Sequence, residues 1–196
     1  MGKLFEISWR RKFEALIRPH LRELYSYAYR LCGDSNRAED IVQDLVLRLY
    51  QSKSRIDEVE NLRPWLYKSL FRQYLNDKRG ESRSPFGFID DSEEIVDEYE
   101  ANHQDASPEA ITEQHIQSAN LKKAIFSLAP EFHQILVIHD LEGFSVKETA
   151  NILDIPTGTV KSRVHRARNK LRKMLVEGTR AEEAVLNGVE GTKNGL

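Results

Sequence analysis

Only one cysteine, Cys32, occurs in the 196 residues, so neither a disulfide framework nor a cysteine-rich zinc site can be built. No apolar run is long enough to span a membrane, and no signal-like apolar stretch follows Met1, so a reducing, cytoplasmic setting is expected. Aromatic residues make up only 9% of the chain against 31% charged residues, a balance that suits soluble helical domains. A phosphate-binding glycine loop and a nucleophile elbow are both missing. His133 and His139 are six residues apart, which does not put them on one helix face as metal ligands. Glu39, Asp40 and Asp44 are close in sequence, but no second carboxylate cluster at a matching spacing completes a cation site. The expectation is a protein without catalytic residues, metal or cofactor.

The most telling absence is local. Between Ile155 and Val176 there is no acid, yet Lys161, Arg163, Arg166, Arg168, Lys170, Arg172 and Lys173 all fall there. A solvated helix normally interleaves both signs, so this imbalance implies a polyanionic partner. Val160, Val164, Ala167, Leu171 and Leu175 recur at helical spacing and give the same segment a buried stripe. That stripe is mostly small, whereas a membrane-surface helix needs bulky apolar residues opposite its charge. Just upstream, a shorter helix is expected over Val146 to Leu153, with Ser145 as N-cap and Glu148 closing a capping box. Pro156 stops it, and Thr157 or Gly158 can open the next helix. Asp154 stands where such turns often carry glycine and must accept a left-handed backbone. Two helices across a tight turn, the second basic, form a helix-turn-helix. Its geometry offers Thr159, Lys161, Ser162, Arg163 and Arg166 to DNA, with Arg163 the best placed for a bidentate guanine contact.

The net charge of −2 hides a segmented distribution. Residues 1–80 carry 16 basic and 11 acidic residues, residues 81–120 carry 1 and 11, and residues 121–196 carry 12 and 9. The first block holds helical stripes throughout. One stops at Gly33, the next is capped by Asp34 or Ser35, and a third has Pro64 in its first turn and Trp65, Leu66, Leu70, Phe71, Tyr74 and Leu75 along it. The acidic middle, including DDSEEIVDEYE, cannot bury enough apolar surface to pack alone. The expected fold is therefore all-α: two small helical domains, 9–80 and 116–177, joined by an acidic flexible linker over 81–115 and followed by a mobile tail over 178–196 in which Ala181 to Leu186 could form a helical turn.

Three blocks in this order, YRLCGDSNRAEDIVQDLVLRL, LRPWLYKSLFRQYLND and HDLEGFSVKETANILDIPTGTVKSRVHRARNKL, resemble the sigma-70 family of bacterial RNA polymerase sigma factors, specifically the extracytoplasmic-function group. The resemblance implies a transcription initiation factor that acts as a monomer within the holoenzyme. It implies that Asp40, Gln43 and Asp44 bind the clamp helices of core RNA polymerase. Like charges at i and i+4 cost a few tenths of a kcal/mol unless something basic faces them, which suits that role. It further implies that the Trp65 helix melts and reads the minus-ten element, with Arg63, Lys68, Arg72, Gln73 and Asn76 as its polar track and Asn61, in the loop before it, as the reader of a base edge. The loop from Arg55 to Leu62 would receive a flipped base. Trp65 itself fits the core better than a base-stacking platform. Arg72 stands where many members have asparagine. The second domain would dock on the polymerase flap and read the minus-thirty-five element, and an anti-sigma factor is a common further partner. The competing reading is a stand-alone helix-turn-helix regulator, which would dimerise on palindromic DNA and leave the first domain unused.

Overall fold

In a computed structural model, which describes residues 2–52, 56, 58–81 and 118–190, every regular element is a helix. α1 (Gly2–Ile17) passes through a 3-10 turn (Arg18–His20) into α2 (Leu21–Cys32), followed by α3 (Ser35–Gln51) and α4 (Leu62–Glu81). The second domain holds α5 (118–126), α6 (Pro130–Leu136), α7 (Val146–Leu153) and α8 (Thr157–Glu190). The expected linker over 81–115 lies outside the described residues apart from Glu81, as do residues 191–196 of the expected tail. Within that tail the structure departs from the sequence reading. α8 continues well past Gly178 to Glu190, because a single glycine in a helix costs about 1 kcal/mol and does not by itself end one.

The termini follow the local chemistry. Gly33 ends α2 with φ 79° and its N–H bonds the Tyr29 carbonyl at 2.8 Å, a left-handed cap that glycine adopts without strain. Asp34 then caps α3, its Oδ1 accepting the Arg37 amide at 2.6 Å. Leu24, Tyr27, Ala28, Leu31, Ala38, Ile41, Leu45, Leu66, Tyr67, Leu70 and Tyr74 form the core of the first domain, with Trp9, Phe13 and Ile17 added from α1. Leu128, Ile135, Leu136, Ala150, Val160, Val164 and Ala167 form that of the second. Each large aliphatic side chain so buried contributes about 1.5–3 kcal/mol.

The two cores are not separate bodies. After Leu136 the helix widens into a π-turn (Val137–Leu141), closed by the Glu142 amide on the Val137 carbonyl at 2.9 Å. A π-turn adds residues to one turn and so re-aims the side chains that follow. Ile135 and Leu136 face α8, whereas Val137 and Ile138 join the first domain's core, together with Phe144 and Ile152. Gly33 contributes to the junction by its missing side chain: a Cβ there would lie 3.2 Å from the Phe126 ring. Two helical domains are thus present, docked face to face.

Candidate nucleic-acid interface

The helix-turn-helix forms as its capping residues require. The Ser145 Oγ accepts the Glu148 amide at 3.3 Å, and the Glu148 carboxylate accepts the Ser145 amide at 2.9 Å, closing the capping box. Those hydrogen bonds from Ser145 hold the Glu148 carboxyl below the usual carboxylate range. Asp154 takes the left-handed conformation with φ 57°, and α8 begins at Thr157. Val160, Val164 and Ala167 are buried, which turns the opposite face of α8 outward.

On that face Lys161, Ser162 and Arg166 are exposed, and Thr159 and Arg163 are half-buried. Ser162 Oγ donates to the Thr159 carbonyl at 3.1 Å, and Arg166 donates to the Ser162 carbonyl at 3.2 Å and to its Oγ at 3.3 Å. This short ladder aims the Arg166 guanidinium back toward the start of the helix. Among the described residues Lys161 and Arg163 have no hydrogen-bond or ion-pair partner. Further along, Arg168 makes a two-pronged contact with Asp140 at 2.9 and 2.5 Å, and Lys170 lies 5.3 Å from the Phe132 ring centre. The basic run seen in sequence therefore divides into an open half at the start of α8 and a half engaged with the protein itself.

On α3, Asp40, Gln43 and Asp44 are all exposed, and Gln43 Nε2 donates to Glu39 Oε1 at 3.0 Å. Leu47, one turn beyond on the same face and 56% exposed, was not singled out by the sequence reading. An apolar residue of that size at i+7 from Asp40 is the signal that could have found it. Beside this face α1, α2 and α3 enclose a groove of about 830 Å³ that includes Phe13, Ile17, Tyr25, Val42, Val46 and Leu47.

The α4 set is divided. Asn61, Arg72 and Asn76 are exposed, whereas Gln73 is 3% exposed and donates to Asp77 Oδ1 at 3.1 Å. Gln73 falls three residues after Leu70 and seven after Leu66, at the edge of the buried face, so helical phase removes it from the outward track. Trp65 is partly buried against the core. Arg55 lies outside the described residues, as does Asp57. Lys68 donates to Asn151 Oδ1 at 2.7 Å, across the domain junction. Arg63 donates to Glu23 at 3.1 Å and to the Glu142 carbonyl at 3.0 Å, with its guanidinium 4.3 Å from the Phe144 ring centre.

The residues that sequence reasoning missed converge on Glu142. Its side chain is 6% exposed and accepts from Arg30 Nη1 at 2.6 Å and from Tyr67 Oη at 2.8 Å. Burial, and then the Glu142 charge, push the Tyr67 phenol well above its ordinary range. Nearby, His133 bonds the Arg30 carbonyl through Nε2 at 2.8 Å, and burial lowers its pKa.

Among the described residues every regular element is a helix, and a capped helix-turn-helix in the second of two domains is the mark of a DNA-binding protein. Residues 16–84 match Sigma-70 region 2, and residues 118–171 match Sigma-70, region 4. The ECF RNA polymerase sigma factor SigL of Mycobacterium tuberculosis (strain ATCC 25618 / H37Rv) is 32% identical over 169 residues, 83% of this chain and 88% of that one. SigW of Bacillus subtilis is 27% identical over 157 residues, 78% of this chain and 83% of its own. SigE of Mycolicibacterium smegmatis is 32% identical over 171 residues, 84% of this chain, which spans 62% of SigE. Among solved structures, the sigma factor RpoE of Bartonella quintana, in complex with the anti-sigma factor NepR, superposes with TM-score 0.65 at 27% identity, covering 84% of this chain and 97% of that one. The chain belongs to the sigma-70 family, among the extracytoplasmic-function RNA polymerase sigma factors.

Proposed function

We propose that the protein binds core RNA polymerase, directs it to particular promoters and assists opening of the duplex. The observation that carries the reading is the start of α8, where Lys161, Arg163 and Arg166 stand on an acid-free face behind a capped turn. In a helix-turn-helix this is the part that enters the major groove, here at the minus-thirty-five element. Arg72 and Asn76 on α4, Asn61 just before it, and Arg63 and Lys68 once released from the junction serve the minus-ten element. Single-stranded bases need such a mixed cationic and polar track. Gln73 holds its position from within the buried face instead. Asp40, Gln43 and Asp44, with Leu47 beside them, meet the polymerase clamp helices, and the second domain meets the flap. An anti-sigma factor is a further partner, since RpoE of Bartonella quintana was solved bound to one. The protein acts as a monomer in the holoenzyme, in the cytoplasm.

Run-off transcription with bacterial core polymerase on a pool of genomic promoter fragments tests this. Defined starts that require the protein are expected. No specific starts, together with a dimeric shift of DNA by the protein alone, would instead establish a stand-alone regulator.

A further inference from the structure

Two cations of the acid-free run, Arg168 and Lys170, are spent on the protein itself. Two residues along an α-helix turn through about 200°, so they stand on opposite flanks of α8. We propose that Asp140, acting through Arg168, is a positioning residue for DNA reading. With Phe132 under Lys170 on the far flank, it fixes the roll of α8 about its own axis, and Arg168 is a brace instead of a phosphate ligand. The brace rests on geometry alone, its service to DNA reading on the assignment of α8 to the minus-thirty-five element.

The buried stripe of α8 sets how near the helix lies but resists its roll weakly, because Val160, Val164 and Ala167 are short and offer shallow ridges to the helices beneath. Side chains reach about 5–6 Å from a helix axis, so a roll of about 10° carries them about 1 Å. A bidentate contact of Arg163 or Arg166 with a base edge does not tolerate an error of that size, whereas attraction to a phosphate does. Contacts on the flanks oppose the roll. Arg168 meets Asp140 through two hydrogen bonds, from Nε at 2.9 Å and from Nη2 at 2.5 Å, a charge-assisted pairing that adds direction to attraction. On the other flank Lys170 lies over the Phe132 ring, 5.3 Å from its centre. Asp140 has a firm seat in the π-turn, which the Glu142 amide closes on the Val137 carbonyl, and its neighbour His139 bonds the Phe144 carbonyl through Nδ1 at 2.7 Å. The Asp140 side chain is 24% exposed against 56% for Arg168, so the acid is the fixed member and the arginine reaches to it. All four residues belong to the second domain, so the braces do not depend on its contact with the first.

The test uses the full chain, alone and in holoenzyme with bacterial core polymerase. In one reaction, run-off from a promoter that the protein serves competes with run-off from the same promoter substituted at a single minus-thirty-five position. Arg168→Gln and Asp140→Asn should each lower the preference for the intact element by about tenfold, and the double variant should lose no more than either alone, since the two act as one pair. Asp140→Glu keeps the carboxylate and should retain most of the preference. A phosphate-binding Arg168 would behave differently: Arg168→Gln would weaken both promoters alike, and Asp140→Asn would release the cation and strengthen both. A pair that served only stability would lower the unfolding midpoint and the total starts. Either pattern, with the preference intact, overturns the proposal. The backbone amide resonances of Thr159 to Arg163 in the free chain, at least five residues before Arg168, read the roll without transcription. Both substitutions should move the same amides in the same direction, and unmoved amides overturn the brace. If the parent chain directs no starts while those amides move, the sigma reading fails and the brace stands.

Discussion

Arg163 and Arg168 share one helix and one charge but have different tasks. Arg163 has no partner within the described protein, whereas Arg168 is held by Asp140, and that carboxylate raises the Arg168 pKa further. Arg163→Ala should relax minus-thirty-five selectivity by about 1–3 kcal/mol while sparing polymerase binding. Transcription from promoters differing at single minus-thirty-five positions measures it, and an equal loss on every promoter would contradict base reading. Arg168→Ala removes a pair exposed on the arginine side and should change stability by less than about 1 kcal/mol. His133 adds a pH dependence. Its folded pKa lies below the ordinary imidazole value of about 6.5 because burial, with Lys78 nearby, disfavours the cation. The unfolded chain then binds more protons in that range. The contribution of neutral His133 is complete above about pH 6.5 and declines as pH falls through the imidazole range, by at most about 1.4 kcal/mol per pH unit. Chemical denaturation between about pH 5 and 8 should show this slope, and His133→Gln should flatten it. A slope unchanged in His133→Gln would reassign the titration to another group. At this scale the outward basic face that holds Arg163 and Arg166 was legible because charge imbalance is a sequence property. Gln73 was misassigned because polarity was weighed above helical phase, although its spacing from Leu66 and Leu70 was available.

Helix ends were the most legible elements, since capping depends on neighbours in sequence. Gly33, Asp34, Ser145 with Glu148, and left-handed Asp154 all appear where the sequence puts them. Ser145→Ala should lower stability by about 1 kcal/mol, seen as a lower urea midpoint with the slope unchanged. A midpoint equal to the parent's would mean that α7 is held by its packing alone. On α3, exposure of Asp40 and Asp44 makes Asp40→Lys with Asp44→Lys a clean probe, because nothing in the core depends on either side chain. The double variant should lose co-migration with core polymerase and keep its thermal unfolding midpoint. Intact co-migration would remove this face from the interface. The π-turn after Leu136 was not legible, because the apolar run that contains it fits an ordinary helix equally well. Its meaning emerges only when Ile135 and Val137 are seen to serve different cores, a tertiary fact with no local signature. The extension of α8 beyond Gly178 escaped for the opposite reason, as glycine was given more weight as a terminator than its cost of about 1 kcal/mol supports.

At the scale of the whole molecule, the docked arrangement and the proposed task require different separations. DNA elements centred at minus thirty-five and minus ten are about 25 base pairs apart, or roughly 85 Å along B-form DNA. In the docked arrangement α4 touches α7 through Lys68 and Asn151, and α8, the longest described helix at 34 residues, spans only about 50 Å. The docked arrangement therefore cannot hold both elements at once, and the domains must part on the promoter. Residues 82–117, fully extended, reach no further than about 130 Å, enough for that separation. Removing half of them lowers the limit to about 60 Å, which is too short. The shortened protein should keep its helical circular dichroism and contact polymerase through one domain at a time. It should lose the gain in effective concentration that comes from engaging both, and with it starts that depend on both elements. Run-off on a promoter carrying both elements, compared with one carrying the minus-ten element alone, reads this directly: the parent should prefer the first and the shortened chain should not distinguish them. A shortened chain with the parent's preference would mean that the two domains read DNA without separating.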